Sequence, residues 1–252
     1  MRLISPIAVL ALWQTLTTTG VVSQQKLPSL TTLWSTAVHL TTTNSPVYGT
    51  LQSAMAISLE RVTIGFAIGG GCALILAFIA GLSRFGENAV DPIMQAARTL
   101  PLFGLIPVFI VWFGIGNPPK IWLIALAAAV PLYLNTFAGI RGVDGKLAEL
   151  GQVLGLRRRE MIRDIMLPGA LPMILVGLRQ SLGVAWLALV VAEQINANSG
   201  LGFMINQGET FLQQNVIFVA LFVYLILGLL TDYIVRLIER RALTWRRGIL
   251  ET

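Results

Sequence analysis

Between Arg61 and Arg84 the chain runs for 22 residues without a charge, "VTIGFAIGGGCALILAFIAGLS". As an α-helix this run is about 33 Å long at 1.5 Å per residue, the thickness of a bilayer's hydrocarbon core. Residues 99–119, 121–140 and 210–231 form three further uncharged runs of spanning length. In lipid, backbone groups must be satisfied within the protein, which leaves helices as the way for such single runs to cross. A fifth span is predicted from near Leu171 to Glu193. Only 13 residues separate Arg179 from Glu193 without a charge, so this span must take in Arg179, snorkelling or facing protein. Residues 3–22 are apolar and threonine-rich behind Met1 and Arg2, a pattern shared by a retained helix and a signal peptide. Taken as retained, this segment completes an all-α, polytopic chain of about six transmembrane helices.

Composition agrees. Hydrophobic residues make up 55% and charged residues 12%, which excludes an ordinary soluble domain. The net charge of +6 is therefore read as topology before nucleic-acid binding, and no nucleic-acid partner is expected. With the 141–164 segment inside, alternation puts residues 84–98, as a loop, and the tail "RLIERRALTWRRG" on the same face. Fifteen of 18 basic residues then lie inside, leaving Lys26, Arg61 and Lys120 outside. Both termini are expected in the cytoplasm. Residues 1–55 read as the first helix and a periplasmic segment, 56–240 as the transmembrane core and 241–252 as a cytoplasmic tail.

Several chemistries find no support. The lone Cys72 excludes an internal disulfide, and neither a metal cluster nor a metal-binding residue is expected. His39, the only histidine, falls in the threonine-rich outer segment as an ordinary surface residue. No nucleophile, acid and base set is present, so no catalytic residue is assigned. Around Gly145-Lys146-Leu147 a P-loop would need glycine at Ile140 and a hydroxyl at Leu147, so any nucleotide-driven motor must be a separate subunit. An ion-coupled secondary transporter would be expected to show internal repeats and embedded ionisable groups.

The segment 141–168 is the odd passenger. Ten charged residues fall between Arg141 and Asp164, between apolar flanks. Glu149, Leu150 and Gly151 are followed by Gly155, then by Ile165, Leu167 and Pro168. This spacing resembles the EAA signature of the permease subunits of bacterial ATP-binding-cassette importers, with both alanines replaced, by Leu150 and Gly151. "SLERVTIGFAIGG", "IPVFIVWFGIGNPPKI", "LPGALPMILVGLRQSLGVAW", "VVAEQINANSGLGFMI" and "LIERRALTW" look like the nitrate, taurine and aliphatic-sulfonate permease group, the sulfonate branch chiefly through "ANSGLG".

The resemblance implies a type I importer permease fold in the inner membrane. It also implies a second permease copy, two cytoplasmic ATPase subunits carrying ATP and magnesium, and a periplasmic or lipid-anchored solute-binding protein. The chain itself would hold no cofactor. Leu150, Val153, Leu154 and Leu156 would contact the ATPase, and Gly155 would permit the turn between two short helices. Glu149 would cap a helix start or accept an arginine of the partner, and Leu167 and Pro168 would close the loop. The solute would be a small organic anion, an aliphatic sulfonate first, with taurine, nitrate and heterocyclic vitamin precursors as alternatives.

Polar residues in apolar surroundings mark a candidate path or gate: Asn135 in the fourth span, and Glu193, Gln194, Asn196, Asn198 and Ser199 after the fifth. The same residues fit a re-entrant turn whose side chains satisfy broken backbone bonds. Gly65 and Gly69 form a G-x-x-x-G pattern that, with Gly70 and Gly71, permits close helix packing. Pro101, Pro107 and Pro131 are expected to kink spans three and four. Trp112, Trp122 and Trp245 read as interfacial anchors.

Overall fold

A computed structural model describes residues 4–244; Trp245 and the rest of the tail lie outside them. In chain order the helices are α1 Ile4–Thr18, α2 Leu30–Thr42, α3 Leu51–Leu82, α4 Arg84–Thr99, α5 Ile106–Phe113 and α6 Pro118–Arg141. They continue with α7 Gly145–Val153, α8 Arg158–Glu160, α9 Leu167–Gln194, α10 Leu201–Thr210 and α11 Gln214–Ala242. The described residues form no strand, only an isolated bridge between Ser45 and Gly49. They divide into two compact units, one of residues 4–60 and 190–227, the other of 61–189 and 228–244.

Four helical stretches are long and apolar enough to cross a membrane: α3, α6, the run from α8 through α9, and α11. A bent pair, α4 with the 102–113 segment, is broken by 95° and has the length and apolarity of a broken span or a re-entrant loop; counted as one span it makes a fifth crossing. Among the described residues the first apolar segment forms α1, 15 residues, shorter than the expected span, and the segment after it holds the helix α2. Ser29 starts α2 by accepting from the backbone N–H of Thr32 at 3.2 Å.

Two expectations based on charge placement are corrected. Arg61 does not stand at the start of its helix. The helix begins ten residues earlier at Leu51, and Arg61 is buried with its Nε donating to Asn117 Oδ1 at 3.0 Å. Lys120 is likewise buried and donates to the Gly116 carbonyl at 2.7 Å. Residues 84–98 are not a loop, and the third crossing does not start at Thr99. They form α4, started by Ser83 Oγ accepting from Gly86 N at 2.9 Å. Glu87, Asp91, Met94 and Arg98 recur at helical spacing on one face. That face meets α6: Glu87 pairs with Arg141, Tyr133 donates to Asp91 at 3.4 Å, and Met94 joins the Val130, Leu132 and Tyr133 cluster. Pro101 sits at the break, where it cannot continue the hydrogen-bond ladder, and Pro107 lies in the first turn of α5, where no N–H is missed. Pro131 lies inside α6.

The larger unit is built around α6, whose Leu123, Ile124, Ala128, Leu132 and Tyr133 are almost wholly buried. α3 lies parallel to it along a seam of small residues four apart: Gly65, Gly69, Ala73, Ala77 and Gly81. A Cβ on Gly65 would come within 2.8 Å of Ile124, and one on Gly81 within 2.8 Å of Ile140. α9 runs antiparallel to α6, through Gly139 against Met173, Gly177 against Asn135, and the Ser181 hydroxyl donating to the Ala128 carbonyl. Arg179 faces protein, as one of the two sequence alternatives required. Its Nη2 donates to Glu239 at 2.6 Å and its Nε lies 3.2 Å from Asp232, which also accepts from Arg236 at 2.7 Å. Trp112 is exposed at the end of α5, while Trp122 stacks on Phe113 with centroids 5.6 Å apart.

The seam yields a sharp contrast. A Cβ on Gly69 would lie 2.0 Å from the Ala125 carbonyl oxygen, a backbone atom that cannot swing aside, whereas one on Gly71 would meet nothing within 4 Å. Gly69→Ala should lower the melting temperature of the purified protein in detergent, by an overpacking cost of about 1–3 kcal/mol. Gly71→Ala should leave it unchanged or raise it.

Candidate functional site

Three places gather the polar and exposed apolar residues singled out in the sequence. The first is the connection from α6 to α9. Asp144 opens α7, its side chain accepting from Lys146 N at 2.9 Å. The helix closes in a Schellman motif: Leu156 N donates to the Gly151 carbonyl and Gly155 N to that of Gln152, both at 3.0 Å. Gly155 holds the left-handed position between them at φ +72°, where a side chain would be strained. Glu160 then accepts from Arg157 N at 2.7 Å, and a widened π-helical turn, Met161–Met166, leads straight into α9. Pro168 lacks the N–H that would close a regular turn onto Asp164, and Pro172 lacks the one for Pro168.

Within this connection the residues divide by face. Gly151 is buried, and a Cβ there would come 2.7 Å from Met161 Cε and 2.9 Å from Ile165 Cδ1, so glycine lets α7 lie on the widened turn. Leu150, Val153 and Leu154 point away, Val153 86% exposed, with Leu156 half-buried and Leu167 exposed. Glu149 is exposed in mid-helix and caps nothing. Asp144 and Glu160 do the capping, because they stand at helix starts where N–H groups are unpaired.

The second place is the bend after α9. Glu193 is fully buried, and its carboxylate collects donors from three elements of its unit. Ser58 Oγ reaches both oxygens at 2.9 and 2.8 Å, Tyr224 OH donates to Oε2 at 2.9 Å, and Gly202 N donates to Oε2 at 2.9 Å. Ser58 Oγ in turn accepts from Leu201 N at 2.9 Å. Glu193 and Ser58 thus satisfy the first N–H groups of α10, with the carboxylate at the positive end of the helix dipole. Gly200, at φ +110°, leaves no room for a side chain, since its Cβ would lie 2.5 Å from Glu193 Oε1. Asn196 takes a left-handed conformation at φ +51°, which asparagine tolerates, and Asn206 Nδ2 donates to the Gln194 carbonyl at 3.3 Å. Gln194, Asn196 and Asn198 are exposed and Ser199 half-buried. Ser58 and Tyr224 carried no sequence signal, standing 135 and 31 residues from Glu193.

The third place belongs to the other unit. Asn135 lines a cleft of about 350 Å³ with Arg98, Val130, Pro131, Leu134 and Gln180. Its Nδ2 donates to the Pro131 carbonyl at 2.8 Å and to Gln180 Oε1 at 2.9 Å. His39, exposed as expected, lines a separate cleft with Thr36, Tyr48, Gln213 and Asn215. There Tyr48 OH donates to Gln213 at 3.2 Å and Asn215 Nδ2 to Thr36 at 3.0 Å.

Residues 69–244 match the family model for the binding-protein-dependent transport system inner membrane component. The chain belongs to this family of permease subunits. This permease is 43% identical over 246 residues to the putative aliphatic sulfonates transport permease protein SsuC of Bacillus subtilis (strain 168), covering 98% of this chain and 87% of that one. It is 42% identical over 244 residues to the protein of the same description from Escherichia coli (strain K12), covering 95% and 89%. Its fold matches a crystal structure of an amino acid ABC transporter with histidines at a TM-score of 0.62 and 18% identity, covering 75% of this chain and 92% of that chain. The permease is thus a multi-pass membrane protein with the type I importer fold.

The Glu193 cluster should behave as one unit. Glu193→Gln keeps the volume but replaces one acceptor oxygen with a donor and removes the charge, so the hydroxyls and N–H groups around it lose bonds of about 1.5–3 kcal/mol each. The melting temperature of the purified permease should fall for Glu193→Gln, and by less for Tyr224→Phe, which removes a single donor.

Proposed function

We propose that this permease subunit forms the membrane pathway of an importer for a small organic anion, most simply an aliphatic sulfonate. ATP and magnesium bind on two separate ATPase subunits, a second permease copy completes the pathway, and a solute-binding protein delivers the anion from outside. Both termini and the α7 connection face the cytoplasm, the side on which lysine and arginine accumulate. Sulfonate as the solute is supported by the descriptions of the SsuC relatives, which align over nearly the whole chain.

The observation that carries the mechanism is the build of α7. Its outer face holds Leu150, Val153 and Leu154 in the open, an apolar strip on a short helix that spans nothing. Its inner face is Gly151, seated on Met161 and Ile165 of the turn that runs without a break into α9. A force applied by an ATPase to the strip is passed by direct contact into a helix that crosses the membrane. ATP binding closes the ATPases and turns the pathway outward to receive the anion, and hydrolysis resets it. In this reading Glu149, exposed beside the strip, accepts an arginine of the ATPase, and Arg157, Arg158 and Arg159 meet its carboxylates.

Purified assembly reconstituted in proteoliposomes should take up butanesulfonate when ATP is supplied on the α7 side, and not under an imposed proton or sodium gradient alone. Gradient-driven uptake without ATP would instead mark a secondary transporter. Gly155→Asp puts a side chain in a left-handed turn at the ATPase contact, and uptake should fall at least tenfold while the amount of folded permease is kept. Loss of ATPase copurification with this variant, and its retention by Gly71→Ala, is the accompanying readout. A cysteine replacing Arg158 should be labelled only from the cytoplasmic side.

A further inference from the structure

The cleft at Asn135 holds an arginine that the rest of the unit does not use. α4 lies antiparallel to α6, its Glu87 level with Arg141 and its Asp91 level with Tyr133. Continued along the same face, Arg98 stands level with Val130 and Pro131 and lines the cleft with them. α6 has 24 residues, about 36 Å of helix, and Val130 lies near its middle. Arg98 is exposed on this cleft, and with α6 as a span it lies level with the middle of that span, where a charge is costly unless something pairs with it. The two carboxylates of its own helix are engaged, Glu87 by Arg141 and Asp91 by the Tyr133 hydroxyl. Among the described residues no carboxylate forms an ion pair with Arg98. The embedded Arg179, by contrast, is held by Asp232 and Glu239.

The neighbouring amides are oriented to match. Both Nδ2 hydrogens of Asn135 are used, one on the Pro131 carbonyl and one on Gln180 Oε1. With its oxygen occupied, Gln180 has its Nε2 hydrogens left to donate. The cleft thus combines the five donors of a guanidinium with those of an amide, beside the apolar side chains of Val130, Pro131 and Leu134. Its volume of about 350 Å³ is at the small end for ligand sites. A headgroup phosphate of the bilayer does not reach this depth. The chemistry asks for a compact oxyanion on a short hydrocarbon.

We infer that Arg98 and Gln180, the latter oriented by Asn135, form a mid-membrane binding site for the oxyanion group of the transported solute, with its alkyl part against Val130 and Leu134. This rests on the importer function proposed above and assigns the place in the permease where the anion pauses. A fork-shaped guanidinium suits the paired oxygens of a sulfonate or carboxylate better than an ammonium does. Arg98 in this role is desolvated only when the solute enters, so the solute supplies the missing negative charge.

The test uses the assembled permease and ATPase in detergent and in proteoliposomes, with butanesulfonate as probe and butanol at the same concentration as the uncharged control. Butanesulfonate should raise the melting temperature of the wild-type assembly in the absence of binding protein, and butanol should not. Arg98→Gln should abolish this protection and cut uptake at least tenfold, while stimulation of ATP hydrolysis by the binding protein persists. Arg98→Lys should retain weakened protection, and Gln180→Leu should raise the KM for uptake severalfold. Should Arg98→Gln fail to assemble, the Lys and Leu variants decide: wild-type protection and KM in both would make Arg98 a structural contact and overturn the site. Wild-type uptake of butanesulfonate with Arg98→Gln unimpaired would overturn the site alone. Failure of the wild-type assembly to take up butanesulfonate at all would overturn the proposed function together with it.

Discussion

The approach of α3 to α6 is the constraint from which the larger unit follows. Within a bilayer there is little hydrophobic gain in bringing two apolar helices together, since lipid tails are as apolar as leucine, so association depends on close packing. Gly69 allows the α3 backbone to lie against the Ala125 carbonyl, and Gly65 and Gly81 do the same at either side. With that seam closed, α6 becomes the buried helix and its other faces receive α4 and α9. Glycine is needed again where α6 meets α9, at Gly139 of α6 against Met173 and at Gly177 of α9 against Asn135.

Charges inside the protein follow a second rule, that each must be compensated where it is buried. Glu193 meets it with hydroxyl and backbone donors, and in doing so holds the start of α10. A carboxylate at that point serves the fold, being enclosed by the groups it binds. Arg179 meets the rule with two carboxylates of α11. Arg98 is the departure, an exposed cation on an amphipathic helix that lines a cleft whose other polar groups are the amides of Asn135 and Gln180. A transport protein needs sites that bind without burying their ligand permanently, and an incompletely paired charge in an open cleft has that character.

The α7 connection shows how much a spacing can encode. Glu149 to Pro168 keeps the EAA register with both alanines replaced, and each replacement has a physical outcome. Gly151 is smaller than alanine at the position that must lie on Met161, while Leu150 faces out and enlarges the apolar strip. Gly155 sits where the backbone turns left-handed to close a Schellman motif, a demand local enough to be visible in the chain. The capping of the same segment was less legible, since Asp144 and Glu160 are the capping residues and Glu149 is not. Any of the three acids could serve, and only the helix limits select between them.

By itself the sequence determined the all-helical class, the central crossings and the turn at Gly155, because these depend on uninterrupted apolar length and on local backbone geometry. It did not determine which charges mark the ends of spans. Arg61 and Arg98 look in the chain like the edges of loops, yet one lies ten residues inside α3 and the other at the depth of Val130. Burial of a charge depends on partners distant in sequence, such as Asn117 for Arg61, and on the face a helix presents to its neighbour. Tertiary structure alone brought Ser58 and Tyr224 to Glu193, and Gln180 to Asn135, because those pairings follow from how whole helices pack side by side.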